Sequence, residues 1–269
     1  MDDHNPAGFR SYEYSFPPSI LYPAPSPYGI PYRVLYGREV KNMFFAGRNI
    51  SVTHAALSST RVMATCALIG QAMGTAASIC VKEGQTPHGV YLNRIRELQG
   101  KLLDQGCFLP GKKREIPALS LGAKLNLSDG DREILFNGEE RPDHDWKQNY
   151  VSLPVGGEIS FDFGEKKKLG TLRILFDPDF SRKSVSENKK MRVFAQRAMR
   201  GLDFVPMKVA RTLVKRFEIE VDGRKVAGYE NWHNSLFRLP LDTEGRRITV
   251  RFLETWGADD VHVFSCDVN

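Results

Sequence analysis

The sequence predicts an α+β chain in which helices come first and an antiparallel β-sandwich of jelly-roll type follows. Three observations predict it. An apolar stretch from about Ser59 to Lys82 and a second from Val90 to Asp104 have helical length and spacing. After Ile116 the pattern changes to short alternating strands separated by turn residues. The 269 residues suffice for two domains, and 41% hydrophobic with 26% charged residues is the balance of a globular chain.

The first stretch, to about Pro31, is rich in Pro, Tyr and Ser and has no helical period. It reads as an extended segment lying over something else. Val40-Lys41-Asn42-Met43-Phe44-Phe45 before Ala46-Gly47-Arg48 reads as a short buried strand ending in a tight turn. The helix after it is expected to take its N-cap from Ser59 or Thr60 and to stop at Gly84. Its interior is apolar or small on nearly every face, so it must be buried all round or lie in a membrane. Thr65, Gln71, Thr75 and Ser78 dilute the span, and Ala outnumbers Leu. A central helix packed closely on a sheet through Gly70 and Gly74 is therefore preferred to a membrane helix. In the second helix Leu92, Ile95, Leu98 and Leu102 recur at helical spacing and Gly106 stops it.

Residues 111–124 read as a linker, dividing a first domain (1–110) from a second (125–269). Strands are expected at 158–163, 169–176, 191–195, 217–221, 247–253 and 261–264, with Asp222-Gly223 as a hairpin turn.

Composition narrows function. The net charge of +6 is spread along the chain, and the densest basic run, Lys112-Lys113-Arg114, is a loop; no nucleic-acid partner is expected. Cys66, Cys80, Cys107 and Cys266 form no CxxC pair and no zinc spacing, so neither a disulfide framework nor a metal is expected. No signal-peptide pattern opens the sequence, and the compartment stays open.

A strand, a Gly turn and an exposed helix start together make a site for an anion or a polar edge. The run Asn42-Met43-Phe44-Phe45-Ala46-Gly47-Arg48-Asn49-Ile50-Ser51, then His54, Ser59-Thr60-Arg61-Val62-Met63-Ala64-Thr65-Cys66-Ala67, Gly70-Gln71-Ala72 and Gly74-Thr75-Ala76-Ala77, resembles the C-terminal flavin-binding segment of FAD-dependent oxidoreductases. The resemblance covers about the first 110 residues and implies the C-terminal fragment of an FAD-binding α/β domain. It implies that Ala46, Gly47, Arg48, Asn49 and Ile50 face the ribityl–pyrophosphate region of FAD, and that Arg61, Val62 and Met63 sit near the ring. The helix start would then stabilise charge on the reduced flavin. The Gly-x-Gly-x-x-Gly loop that opens this family occurs nowhere in the sequence. The resemblance therefore implies a piece of a longer flavoprotein or one product of a split gene. Such a piece would not hold FAD tightly by itself and would be completed by a partner carrying the Gly-rich loop.

His54 is the candidate general base, and a hydrogen-bonded helix-entry histidine is the equal alternative. His4 reads as a turn residue, Cys66 as core, and Met63 and Met73 as packing. From Leu125 the sequence resembles a galactose-binding-like, discoidin-type sandwich, through Asn126-Leu127-Ser128-Asp129-Gly130, Trp146, Glu158 to Gly164, Leu172 to Asp177 and Thr255-Trp256-Gly257. Such domains often bind sugars, which makes Trp232 and His233 the candidate glycan residues. Trp256 and Trp146 read as core plugs. The chain is thus read as part of an FAD-dependent oxidoreductase with a small-molecule substrate, carbohydrate among the candidates. The alternative is a non-catalytic carbohydrate-binding module on a residual flavin-domain scaffold.

Overall fold

The computed structural model describes residues 2–3, 20–21, 27–141, 148–179 and 209–269. His4, Trp146 and the strand expected at 191–195 lie outside the described residues. The chain is α+β and divides into two compact units, Met1–Lys112 and Lys113–Asn269.

The first unit pairs β1 (Asp2–Asp3) with β2 (Ile20–Leu21), and its described residues form the α-helices α1 (His54–Thr60), α2 (Met63–Glu83), α3 (Pro87–Asn93) and α4 (Ile95–Asp104). The starts of α1 and α3 are set by local chemistry. Thr53 caps α1, its hydroxyl accepting the Ala56 N–H at 3.3 Å, and Thr86 caps α3, accepting the Gly89 N–H at 3.0 Å. Gly84 ends α2 in the left-handed conformation (φ 61°), as expected of a glycine stop. Gly106, also at positive φ (82°), follows the end of α4.

Three local expectations fail here. Ser59 and Thr60 do not cap the long helix; they end α1. The chain breaks at Arg61, whose N–H still bonds Leu57 O, and extended Val62 precedes α2 without a side-chain cap bond. The strand expected at 40–45 is only a bridge between Tyr36 and Phe44, with Val40 and Met43 exposed. A buried strand needs a ladder, and among the described residues the one ladder of this unit, β1–β2, does not include residues 40–45. Nor is α2 buried all round. Ile69, Met73, Ala76 and Ile79 form one buried seam, while Met63 (89% exposed), Leu68 (54%) and Val81 (84%) face outward. A Cβ added at Gly70 or Gly74 would meet nothing within 4 Å, so these glycines serve no close approach in this unit. By length and composition alone, α2 is long and apolar enough to cross a bilayer.

The second unit is an antiparallel β-sandwich. Its strands are β3 (Lys124–Leu125), β4 (Val151–Pro154), β5 (Glu158–Phe176), β6 (Val214–Val221), β7 (Arg224–Tyr229), β8 (Leu236–Thr255) and β9 (Asp260–Val268). The order is β4-β9-β5-β8-β6-β7, with β3 on β5. The long pair β5–β8 is the backbone of the fold. Its register slips between Asp162 and Lys167 and between Leu169 and Thr171. Such irregularities bend strands. On one side of them β6 joins β8, and on the other β9 joins β5. Residues from both halves, among them Phe161, Val250, Phe217, Ile174, Phe176 and Val263, form one buried cluster. The sheet therefore folds over a single core. Asp222 (φ 49°) and Gly223 (φ 77°) form the tight β6–β7 turn.

Of residues 111–124, read from sequence as linker, those from Lys113 on belong to this unit. The helix α5 (Ala118–Gly122) packs on β5 and β9, as α6 (Asp129–Phe136) does on β4 and β9. Ser120 Oγ donates to Val268 O at 2.8 Å and accepts the Val268 N–H at 2.7 Å.

Candidate functional site

The turn Ala46–Ile50 is fixed at both ends. The Phe45 N–H donates to Leu35 O at 2.8 Å and the Ser51 N–H to Val34 O at 3.0 Å, both carbonyls lying in or beside the 3-10 turn Tyr32–Val34. Ile50 and Leu35 are buried in the same cluster as Tyr32. Tyr32 in turn donates its hydroxyl to Pro87 O at 3.0 Å and stacks on Tyr91, with ring centroids 6.3 Å apart. Burial is the main force that pushes the Tyr32 phenol well above its ordinary value, so it stays a neutral donor. This aromatic brace, extended by Tyr36 Oη at 2.9 Å from His88 Nδ1, holds the turn on α3.

Within the turn Gly47 is buried and adopts φ 114°, while Ala46, Arg48 and Asn49 are exposed. A Cβ at Gly47 would come 4.0 Å from Cys66 Sγ, and that thiol donates to Thr60 O at 3.6 Å. Gly47, Cys66 and Thr60 thus line one corner between the turn and the start of α2. Arg61 is half-buried at the α1–α2 break; Val62 and Met63 are exposed beside it. His54 is exposed at the first position of α1. Because space beside Gly47 is adequate, Gly47→Ala should act through φ alone and cost about 1–3 kcal/mol. Thermal melting of the full chain checks this.

Three features fit a flavin wall. The backbone at Gly47 carries no side chain, the start of α2 has no side-chain cap, and the buried Thr60 hydroxyl has no hydrogen-bond partner. Together they offer a close approach, N–H donors with the positive helix end, and an unused polar group. No Gly-x-Gly-x-x-Gly loop for the pyrophosphate occurs in the sequence, so the fit is to one side of the cofactor. Thr60 and the Cys66–Gly47 proximity went unseen in the sequence. A Thr before an apolar run reads as a cap, and a cysteine inside a helix reads as packing.

In the second unit the Trp232 ring packs edge-on against Phe217, Tyr229 and Phe237, and its Nε1–H donates to Asn234 O at 2.6 Å. Its polar edge is committed to its own loop. His233 is exposed, with Nδ1 3.2 Å from Asn231 O. Trp256 is half-buried against the core and donates Nε1–H to Trp232 O at 2.5 Å. Among the described residues no cluster of three His, Cys, Asp or Glu could hold a metal ion.

The family described as FAD dependent oxidoreductase matches residues 1–102. No curated protein matches the chain. Among solved structures, the family 32 carbohydrate-binding module of Streptococcus pneumoniae EndoD is similar at 9% identity and a TM-score of 0.36, covering 56% of this chain and 97% of that one. The family 32 module of C. perfringens NanJ, solved with galactose, is similar at 12% identity and 0.33, covering 54% and 90%. A fucose-binding module of Streptococcus pneumoniae is similar at 13% identity and 0.33, covering 60% and 98%. Residues 1–102 thus match the FAD dependent oxidoreductase family, and the same chain carries an antiparallel β-sandwich.

Proposed function

We propose that the first unit supplies the closing turn and helix of the flavin site of an FAD-dependent oxidoreductase acting on a small-molecule substrate. The site is completed by a region bearing a Gly-x-Gly-x-x-Gly loop. The observation that carries the reading is the corner at Gly47, Thr60 and the uncapped start of α2, lying inside the segment that matches the family. Bound FAD supplies the redox chemistry. This chain's part is to let the ribityl–pyrophosphate region pass Gly47, Arg48 and Asn49, and to aim the positive end of α2 at the flavin's pyrimidine edge. His54 is the proposed proton acceptor, placed at the entry of α1.

Purified alone and passed over gel filtration with FAD, the chain should elute colourless. Co-expressed with a Gly-x-Gly-x-x-Gly-bearing flavoprotein region from its own source, it should elute with that region and with flavin absorbance. Flavin retained by the chain alone, or a colourless chain that never joins such a region, would overturn the reading.

A second reading, carbohydrate recognition by the sandwich, rests on the sequence resemblance of residues 125–269. The loop Asn231–Asn234 favours it by exposing His233 and Asn234. Calorimetric titration of the full chain with galactose tests it. Heat that persists in His233→Ala would remove this loop from the proposal.

A further inference from the structure

We infer that the Thr60 hydroxyl is a flavin-binding group: it hydrogen-bonds the polar edge of the isoalloxazine ring when the site is complete. This rests on the flavin reading above and adds a residue that the sequence assigned to capping. Thr60 is only 5% exposed, yet among the described residues its Oγ1 is the one buried side-chain oxygen or nitrogen without a hydrogen-bond partner. Hydroxyls at helical positions ordinarily bond back to a carbonyl three or four residues earlier. Two others in this unit do so: Ser58 Oγ donates to Ala55 O at 2.7 Å, and Thr75 Oγ1 to Gln71 O at 2.9 Å. Thr60, two residues from Ser58 in the same helix, does not.

A buried hydroxyl left unpaired is destabilising, and native structures contain few. Its location gives the reason. Thr60 O accepts the Cys66 thiol, whose sulfur lies 4.0 Å from a Cβ built at Gly47, so residue 60 borders the corner formed by the turn and the start of α2. A hydroxyl donates one bond and accepts up to two. It can therefore serve either the carbonyl and ring-nitrogen acceptors or the imide N–H of a flavin's pyrimidine edge.

The test compares Thr60→Val, which keeps the shape and removes the hydroxyl, with Thr60→Ser, which keeps the hydroxyl. In the full chain alone, T60V should melt at or above wild type, because it removes an unpaired buried group. In the assembled flavoprotein, T60V should raise the FAD dissociation constant about tenfold, the worth of one lost hydrogen bond. It should also shift the visible flavin absorption band, while T60S keeps wild-type affinity and spectrum. A lower melting temperature for T60V alone would show that the hydroxyl is bonded within the chain's own fold and would overturn the inference. So would unchanged FAD affinity and spectrum in assembled T60V. An assembled wild type without flavin would instead overturn the flavin reading and this inference with it.

Discussion

Glu140→Ala is expected to destabilise the sandwich by about 3–5 kcal/mol, because it removes the carboxylate that two buried guanidinium groups share. Glu140 Oε1 accepts Arg114 Nε at 2.7 Å and Arg173 Nη1 at 2.5 Å, while Oε2 accepts Arg173 Nη2 at 2.8 Å. Ser265 Oγ adds a donor to Oε1 at 2.7 Å, and Arg114 also pairs with Asp267. The guanidinium side chains are 5% and 2% exposed, so water cannot replace the lost carboxylate. The network ties the first residues of the unit to β5 and β9, the strands that close the core. Chemical denaturation of the full chain reads the loss.

The same group sets an acid limit. Burial by itself would raise the Glu140 carboxyl; the hydrogen bonds and charge of Arg173, then Arg114 and Ser265, hold it below its ordinary value. A carboxyl depressed in the folded state contributes stability that is present above its unfolded value and lost as pH falls through the folded one. The wild-type denaturation midpoint should therefore drop on acidification below about pH 4, the ordinary glutamate range. Glu140→Gln, already weakened, should show a flatter profile over that window. Parallel profiles would assign the acid sensitivity to other groups.

What the sequence revealed was what short-range chemistry decides. Gly84 and Gly106 mark helix ends because a left-handed residue is needed there, and Asp222-Gly223 marks a hairpin because both positions take positive φ. Segment 158–176 read as two strands because Gly164-Glu165-Lys166-Lys167-Lys168 looks like a turn. It is one strand with irregular register at that place, since β8 bends with it. The charged network was illegible: Arg114, Glu140, Arg173 and Asp267 have no common spacing, and only the sandwich brings them together. In the first unit the candidate site residues came from the resemblance to the family's motif, and Thr60 does not take the capping place expected of it. Capping preference describes the residue before a helix. Here the N-cap position falls two residues later, at Val62, which makes no side-chain cap bond.

The burial of α2 was also misread, and that error leads to the second large effect. Apolar periodicity reports that a helix needs cover on all sides; it does not say which polypeptide provides it. One seam is covered inside the unit, whereas Leu68 and Val81 are exposed. Covering a leucine or valine is worth about 1.5–3 kcal/mol each, so in the proposed assembly these exposed side chains would contribute to joining the Gly-rich region. Leu68→Lys with Val81→Lys should leave the melting temperature of the chain alone unchanged, since neither side chain is buried there. The double variant should self-associate less than wild type in sedimentation velocity. It should also lose co-elution with the Gly-rich region, and flavin with it, because two charges would have to be desolvated at the interface. A double variant that melts lower would show that the outer face is covered within this chain. Wild-type protein that sediments with lipid vesicles while the variant does not would place the face in a bilayer, the other cover that its length and composition allow. Co-elution retained despite both lysines would place the joining surface away from α2, and the flavin corner at Gly47 and Thr60 would then need its missing wall from another direction.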